Sequence, residues 1–172
     1  ANVDYIPSDI NLASSESLMA TAISRETILK RILSDDVVSK YDYVIIDCLP
    51  SLGSLLINAL TCADRVLIPV QTQKFSLDGL QALDALFQQI KAAINPNISY
   101  LGILPTMVER TKVSRAALDT LSEKYGDMLL KTYISKSVEA PKSAESRIPL
   151  CVTDSKLGNE YKNLTNEILQ IE

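Results

Sequence analysis

The chain has 172 residues, 47% of them hydrophobic and 22% charged, with a formal net charge of −4 and a mean hydropathy of +0.10. This is the length of one compact domain, here residues 1–172, and the composition excludes a disordered chain. No apolar run approaches the ~20 residues of a membrane-spanning helix, and Ala1-Asn2-Val3-Asp4 lacks the basic-then-apolar pattern of a secretion signal. The absence of histidine removes the commonest general base and zinc ligand, so His-dependent hydrolytic triads and metal sites are excluded. Cys48, Cys62 and Cys151 are odd in number and irregular in spacing, as expected of reduced thiols in a cytosolic protein. Cys48 and Cys62 lack iron–sulfur or zinc spacing.

In chain order, Asp4-Tyr5-Ile6 reads as the end of a strand stopped by Pro7. Leu18, Ala22, Leu29, Ile32 and Leu33 recur at helical spacing, which predicts a helix over Ser14–Leu33 with Ser14 or Ser15 as its N-cap. Tyr43-Val44-Ile45-Ile46 is a continuous apolar run without alternation, predicting a strand buried on both faces of a parallel sheet. A short helix follows over Leu55–Cys62, then an apolar strand over Arg65–Val70. Ser76 caps a long helix carrying Leu80, Leu83, Phe87, Ile90 and Ile94 on one face. A third strand covers Ile98–Leu104, and a helix over Ser114–Tyr125 groups Leu118, Leu121 and Tyr125. A fourth strand is expected over Leu129–Ile134, irregular chain over Ser135–Cys151, and a last helix over Leu157–Ile171. Strands alternating with helices predict an α/β fold with a mostly parallel sheet flanked by helices.

Charge is uneven. Between Met107 and Leu150 lie eight basic and six acidic residues, whereas the remainder holds nine basic and fifteen acidic. The whole chain is thus not a basic nucleic-acid binder, but this stretch is locally positive, as an anion-facing surface or a solvated one. Gln71 and Gln73, after the second apolar run, face either a partner or solvent.

Chemistry concentrates at Tyr41-Asp42-Tyr43-Val44-Ile45-Ile46-Asp47-Cys48-Leu49-Pro50-Ser51-Leu52-Gly53. An apolar strand ending in Asp47, followed by a Pro-Ser-x-Gly turn and a helix, puts a carboxylate at the sheet edge where α/β proteins bind ligands. Such a carboxylate either holds Mg²⁺ through water beside nucleotide phosphates or caps the following turn. Cys48 reads as buried rather than reactive, with no neighbouring cation cluster to lower its pKa.

This stretch, with Ala63-Asp64-Arg65-Val66-Leu67-Ile68-Pro69-Val70-Gln71, Phe75-Ser76-Leu77-Asp78-Gly79-Leu80 and Ile103-Leu104-Pro105-Thr106-Met107, resembles the ParA/Soj partitioning ATPases. These are deviant Walker-type P-loop proteins related to MinD. The resemblance implies that Asp47 orients Mg²⁺-bound water, that Pro50, Ser51, Leu52 and Gly53 form the switch sensing the terminal phosphate, and that Thr106, Met107, Ser135, Lys136 and Val138 line the base. It also implies an ATP-bound homodimer, non-specific DNA contacted through Lys112, Arg115, Lys136 and Lys142, a ParB-like stimulating partner, and a cytoplasmic, nucleoid-associated protein.

The five glycines are isolated, and none precedes Lys-Thr or Lys-Ser, so the phosphate-cradling P-loop is absent from these residues. The sequence resembles the C-terminal portion of such an ATPase, an incomplete P-loop fold without the N-terminal strand and P-loop. By itself it is expected to bind neither ATP nor Mg²⁺ tightly. Glu139 and Pro141-Lys142-Ser143-Ala144-Glu145-Ser146 depart from the family's basic segment. The acidic last helix lacks the basic face of MinD-type membrane anchors, so no membrane partner is expected. The alternatives are a non-catalytic interaction module and a MinD-like regulator of cell division.

Overall fold

The computed structural model describes residues 3–73 and 76–171; Phe75, which opens one of the quoted motifs, lies outside them. The chain forms a helix-rich α/β fold with a parallel sheet, and divides into two compact units.

The first unit holds residues 1–64 and 79–98. Its helices are α1 (Ile10–Met19), α2 (Ile28–Ile32), α3 (Asp35–Val38), α4 (Ser54–Cys62) and α5 (Leu77–Ala93), the last belonging here from Gly79 onward. The helix expected over Ser14–Leu33 is broken. Asp9, not Ser14 or Ser15, caps α1 by accepting from the Asn11 N–H. Ser24 then takes a left-handed conformation ahead of a 3-10 turn at Arg25–Thr27. That backbone turn interrupts the helical ladder, so two shorter helices replace one long one.

Asn58 compensates for the break. Buried on α4, its side chain donates to the Arg25 and Ser54 carbonyls and accepts from the Leu29 N–H. Asn95, after α5, donates to the Leu60 and Ala63 carbonyls. Ala59, Leu60, Leu80, Phe87, Ile90 and Ile98 are the unit's buried apolar residues, and the α5 members match the stripe expected from spacing.

Two expected strands do not form. Asp4–Ile6 and Tyr43–Ile46 carry no ladder among the described residues, and Val3, Tyr5, Ile6, Tyr43, Val44 and Ile45 are exposed, Ile45 at 91%. A strand exists only where a neighbour accepts and donates its backbone hydrogen bonds. The apolar run is suited to burial on both faces, and among the described residues nothing supplies that neighbour.

The second unit holds residues 65–78 and 99–172. Strand β1 (Arg65–Gln71) pairs in parallel with β2 (Ser99–Thr106), from Arg65 opposite Ser99 to Gln71 opposite Thr106. The register slips after Val66, next to Gly102, whose φ of 159° and lack of Cβ let Leu130 and the Met128 carbonyl approach. Helices α6 (Lys112–Tyr125), α7 (Glu139–Ser146) and α8 (Lys156–Ile171) complete the unit. Leu104, Leu130, Ile134, Leu157 and Leu164 form a buried cluster, flanked by Leu67, Ala140, Leu150 and Ile168.

The fourth strand, expected over Leu129–Ile134, survives only as two isolated bridges, Ile103 to Leu129 and Val108 to Ser135. The Leu130 N–H donates to the Ile103 carbonyl and the Ile134 N–H to the Pro105 carbonyl. Between these bonds β2 advances two residues and its partner four, so the intervening residues bulge outward. Pro105 also lacks the N–H that would extend the ladder. The bulged N–H groups turn to α8: Lys131 and Thr132 donate to the Glu167 carboxylate at 2.7 and 2.8 Å, and Ser135 gives its N–H and hydroxyl to Glu160, both at 2.7 Å.

The stretch expected to be irregular contains α7 and a 3-10 turn at Leu150–Val152. Pro141 lies in the first turn of α7, where its missing N–H has no helical partner to lose. On α6 the buried residues are Ser114, Ala117 and Leu121, a face rotated from the expected one because Ser114 is drawn inward by hydrogen bonds described below.

Candidate functional site

In the first unit, Asp47 follows the exposed apolar run and is itself exposed. Its carboxylate has no hydrogen-bond or ion-pair partner among the described residues, so it does not cap the following turn there. Burial and then the adjacent Asp47 charge hold the Cys48 thiol above its ordinary pKa, although its residue as a whole is exposed; the expectation of a buried cysteine is corrected. Pro50, Ser51 and Leu52 are exposed, and Gly53 leads into α4.

That turn is fixed by a residue the sequence reading missed. Glu16 of α1 accepts from the Leu55 N–H at 3.2 Å, meeting one of the unpaired donors at the start of α4. A Cβ on Gly53 would lie 2.3 Å from the same carboxylate oxygen, so the glycine admits the acid.

In the second unit, the structure brings the expected base-side residues together. β2 ends at Thr106, Met107 follows with a φ of +53°, and the next residue, Val108, bridges to Ser135. The Val108 N–H donates to the Ile134 carbonyl and the Lys136 N–H to the Val108 carbonyl, both at 3.1 Å. Val138 is exposed and precedes α7. Ser135 has both its donors engaged by Glu160, whose carboxylate also lies 3.6 Å from Lys156.

The four cations differ. Lys112 and Arg115 are exposed on α6, three positions apart and hence on one face. Neither makes an ion pair among the described residues. Lys142 is exposed on α7. Lys136 is paired with Glu109 at 2.9 Å, and Gln73 also donates to that carboxylate. Foremost the Lys136 hydrogen bond holds the Glu109 carboxyl below its ordinary pKa, against a smaller opposing effect of burial.

Thr72, Glu109 and Ser114 also escaped the sequence reading. The available signal is Thr111, a favoured N-cap type just ahead of the helical pattern; its hydroxyl accepts from the Ser114 N–H at 3.2 Å. Among the described residues no group of three or more His, Cys, Asp or Glu side chains is placed to hold a metal, and no helix is long and apolar enough to cross a membrane.

Parallel strands with helices before, between and after them in the chain place the fold in the α/β class. A family profile described as AAA domain matches residues 1–100. The chain is 36% identical over 170 residues to the sporulation initiation inhibitor protein Soj of Bacillus subtilis, covering 97% of this chain and 67% of Soj. A putative plasmid partition protein of Borrelia burgdorferi bound to AMPPNP superposes with a TM-score of 0.76 at 26% identity, covering 96% of this chain and 62% of that one. A Mycobacterium smegmatis structure described as cobyrinic acid a,c-diamide synthase, with ATP analogue and magnesium, gives a TM-score of 0.69 at 34% identity, covering 76% and 54%. The chain belongs to the ParA/Soj family of partitioning ATPases. It spans between about half and two thirds of the length of the curated relatives it matches.

Proposed function

We propose that this chain supplies the magnesium-side acid, the switch turn and the base-side wall of a DNA-partitioning ATPase. The observation that carries the reading is Asp47: a solvent-facing, unpartnered carboxylate at the end of an apolar run, directly ahead of Pro50-Ser51-Leu52-Gly53. A lone exposed carboxylate suits Mg²⁺ held through water and does not suit an all-protein cage. When bound with ATP, Mg²⁺ neutralises charge developing on the phosphates. Asp47 orients its water, the 50–53 turn follows the terminal phosphate, and Thr106, Met107, Ser135, Lys136 and Val138 border the base.

Lys112, Arg115 and Lys142 are open to DNA phosphates, and Lys136 reaches them by leaving Glu109. The protein acts as an ATP-bound homodimer on non-specific DNA, stimulated by a ParB-like partner, in the cytoplasm at the nucleoid. Family membership and the nucleotides bound in related structures support this reading. Without a Gly-rich lysine loop among its residues, the chain alone binds ATP weakly.

The test joins a P-loop segment of a Soj-type relative ahead of Ala1. Slow ATP hydrolysis, raised by DNA, is expected, and Asp47→Ala is expected to lower it by about 100-fold. Equal turnover by the Asp47→Ala chimera would show that Asp47 has no such role. The exposed apolar residues at 3–6 and 43–45 favour a second reading, an interaction module. Calorimetry with Mg-ATP beside size-exclusion at several concentrations separates the two: association without nucleotide binding, in the chimera as well, favours the module.

A further inference from the structure

Met107 holds a left-handed backbone, φ +53°, which costs energy in a residue with a Cβ. Packing does not repay that strain, because the residue is 42% exposed. Two buried hydroxyls hold it instead. Thr72, 1% exposed, lies just beyond β1, and Ser114, 0% exposed, lies in the first turn of α6. Their oxygens are 2.7 Å apart. The Thr72 hydroxyl donates to the Met107 carbonyl at 3.3 Å, and the Ser114 oxygen accepts from the Glu109 N–H at 3.2 Å.

The fixed donor and acceptor at the two ends settle both hydroxyl protons. Glu109 N–H donates to Ser114, Ser114 to Thr72, and Thr72 to the Met107 carbonyl. No proton is left over and no group in the relay is unmet. Outside it, the Glu109 carboxylate holds Lys136 and Gln73, and the Lys136 N–H donates to the Val108 carbonyl. The backbone is therefore gripped at Met107, Val108 and Glu109 in succession, while the Met107 side chain is left free to meet something else.

We infer that Thr72 and Ser114 are positioning residues that hold the Thr106–Glu109 loop in its strained form and pre-set Met107 against the flat face of a nucleobase. The ligand half of this inference rests on the base-side reading proposed above; the relay itself does not.

Amide hydrogen exchange on this chain tests the relay. Thr72→Val keeps the shape and removes the hydroxyl. Exchange at Glu109 and Lys136 is expected to accelerate about 10-fold or more, while the Leu130 N–H, bonded to the Ile103 carbonyl, keeps its protection. Thr72→Ser is expected to restore the slow rates. Because glycine adopts positive φ without strain, the acceleration caused by Thr72→Val shrinks in a Met107→Gly background, a coupling that a purely local packing defect would not produce. Unchanged Glu109 and Lys136 exchange in folded Thr72→Val, or failure of Thr72→Ser to restore it, overturns the relay.

Should Thr72→Val not fold, Met107→Gly alone decides: relief of strain predicts a chain at least as stable as the parent, and a less stable one overturns the inference. Adenosine is the probe for the ligand. It is expected to shift the Met107 and Lys136 amides of the parent and of Thr72→Ser, and not of Thr72→Val. Relay effects as expected with no adenosine shift in the parent would leave the relay standing and remove the nucleobase reading.

Discussion

Replacing Glu167 by Gln perturbs a single carboxylate that substitutes for a missing strand partner. Its two oxygens accept from the Lys131 and Thr132 N–H groups. Glutamine retains one acceptor and turns an NH₂ toward the second N–H, so one bond is lost and two donors are opposed. A hydrogen bond to a charged group contributes about 1.5–3 kcal/mol, and the exposed Lys131 N–H recovers part of this from water, which leaves a loss of about 1–2 kcal/mol. For a chain of this size that lowers the melting midpoint by about 2–8 °C.

Burial pushes the Glu167 carboxyl up, but hydrogen bonds from Thr132 and Lys131 and the nearby Lys131 charge outweigh it and hold the group below its ordinary 4.5. A depressed carboxyl contributes stability that is present above 4.5 and lost as pH falls through the lower folded value. The difference between parent and Glu167→Gln in urea unfolding is therefore full near neutrality and smaller at about pH 3, where the carboxyl of the unfolded chain is already protonated. An equal difference at both values would refute the argument.

At Gly158, an added Cβ would lie 2.4 Å from the Leu150 carbonyl oxygen and 2.8 Å from that of Thr153. Both are backbone atoms, so Gly158→Ala is expected to cost about 1–3 kcal/mol in urea unfolding. Because burial and then Asp47 raise the Cys48 pKa, Asp47→Asn is expected to speed iodoacetamide alkylation of Cys48 about twofold near neutral pH, read by peptide mass spectrometry. In the chimera carrying a P-loop, Lys112→Met and Arg115→Met each reduce the log–log salt slope of DNA binding by about 1, and Lys136→Met by less, because Lys136 is already paired with Glu109.

Much of the architecture was legible as periodicity. The apolar stripe of α5, the runs that became β1 and β2, and the termini of α4 and α8 are local patterns, and each was found close to its expected limits. The site was legible in part. Asp47 and the turn after it stood out as a sequence of types, and the structure leaves that acid exposed. The cations were visible only as composition, which could not separate open Lys112 from Lys136 held by Glu109.

By itself the sequence determined where the chain prefers helix or extended backbone, and it carried the motif that places the protein in its family. Tertiary structure decided whether those preferences became strands. Tyr43–Ile46 joins no ladder among the described residues, and Leu129–Ile134 breaks into two bridges around a bulge, because a strand requires a neighbour in register and a periodic pattern does not specify one. It also decided which small polar residues matter. Thr72 and Ser114 lie 42 positions apart in the chain and 2.7 Å apart in space, and nothing in the neighbourhood of either residue along the chain encodes a hydrogen bond that only the packed fold can close.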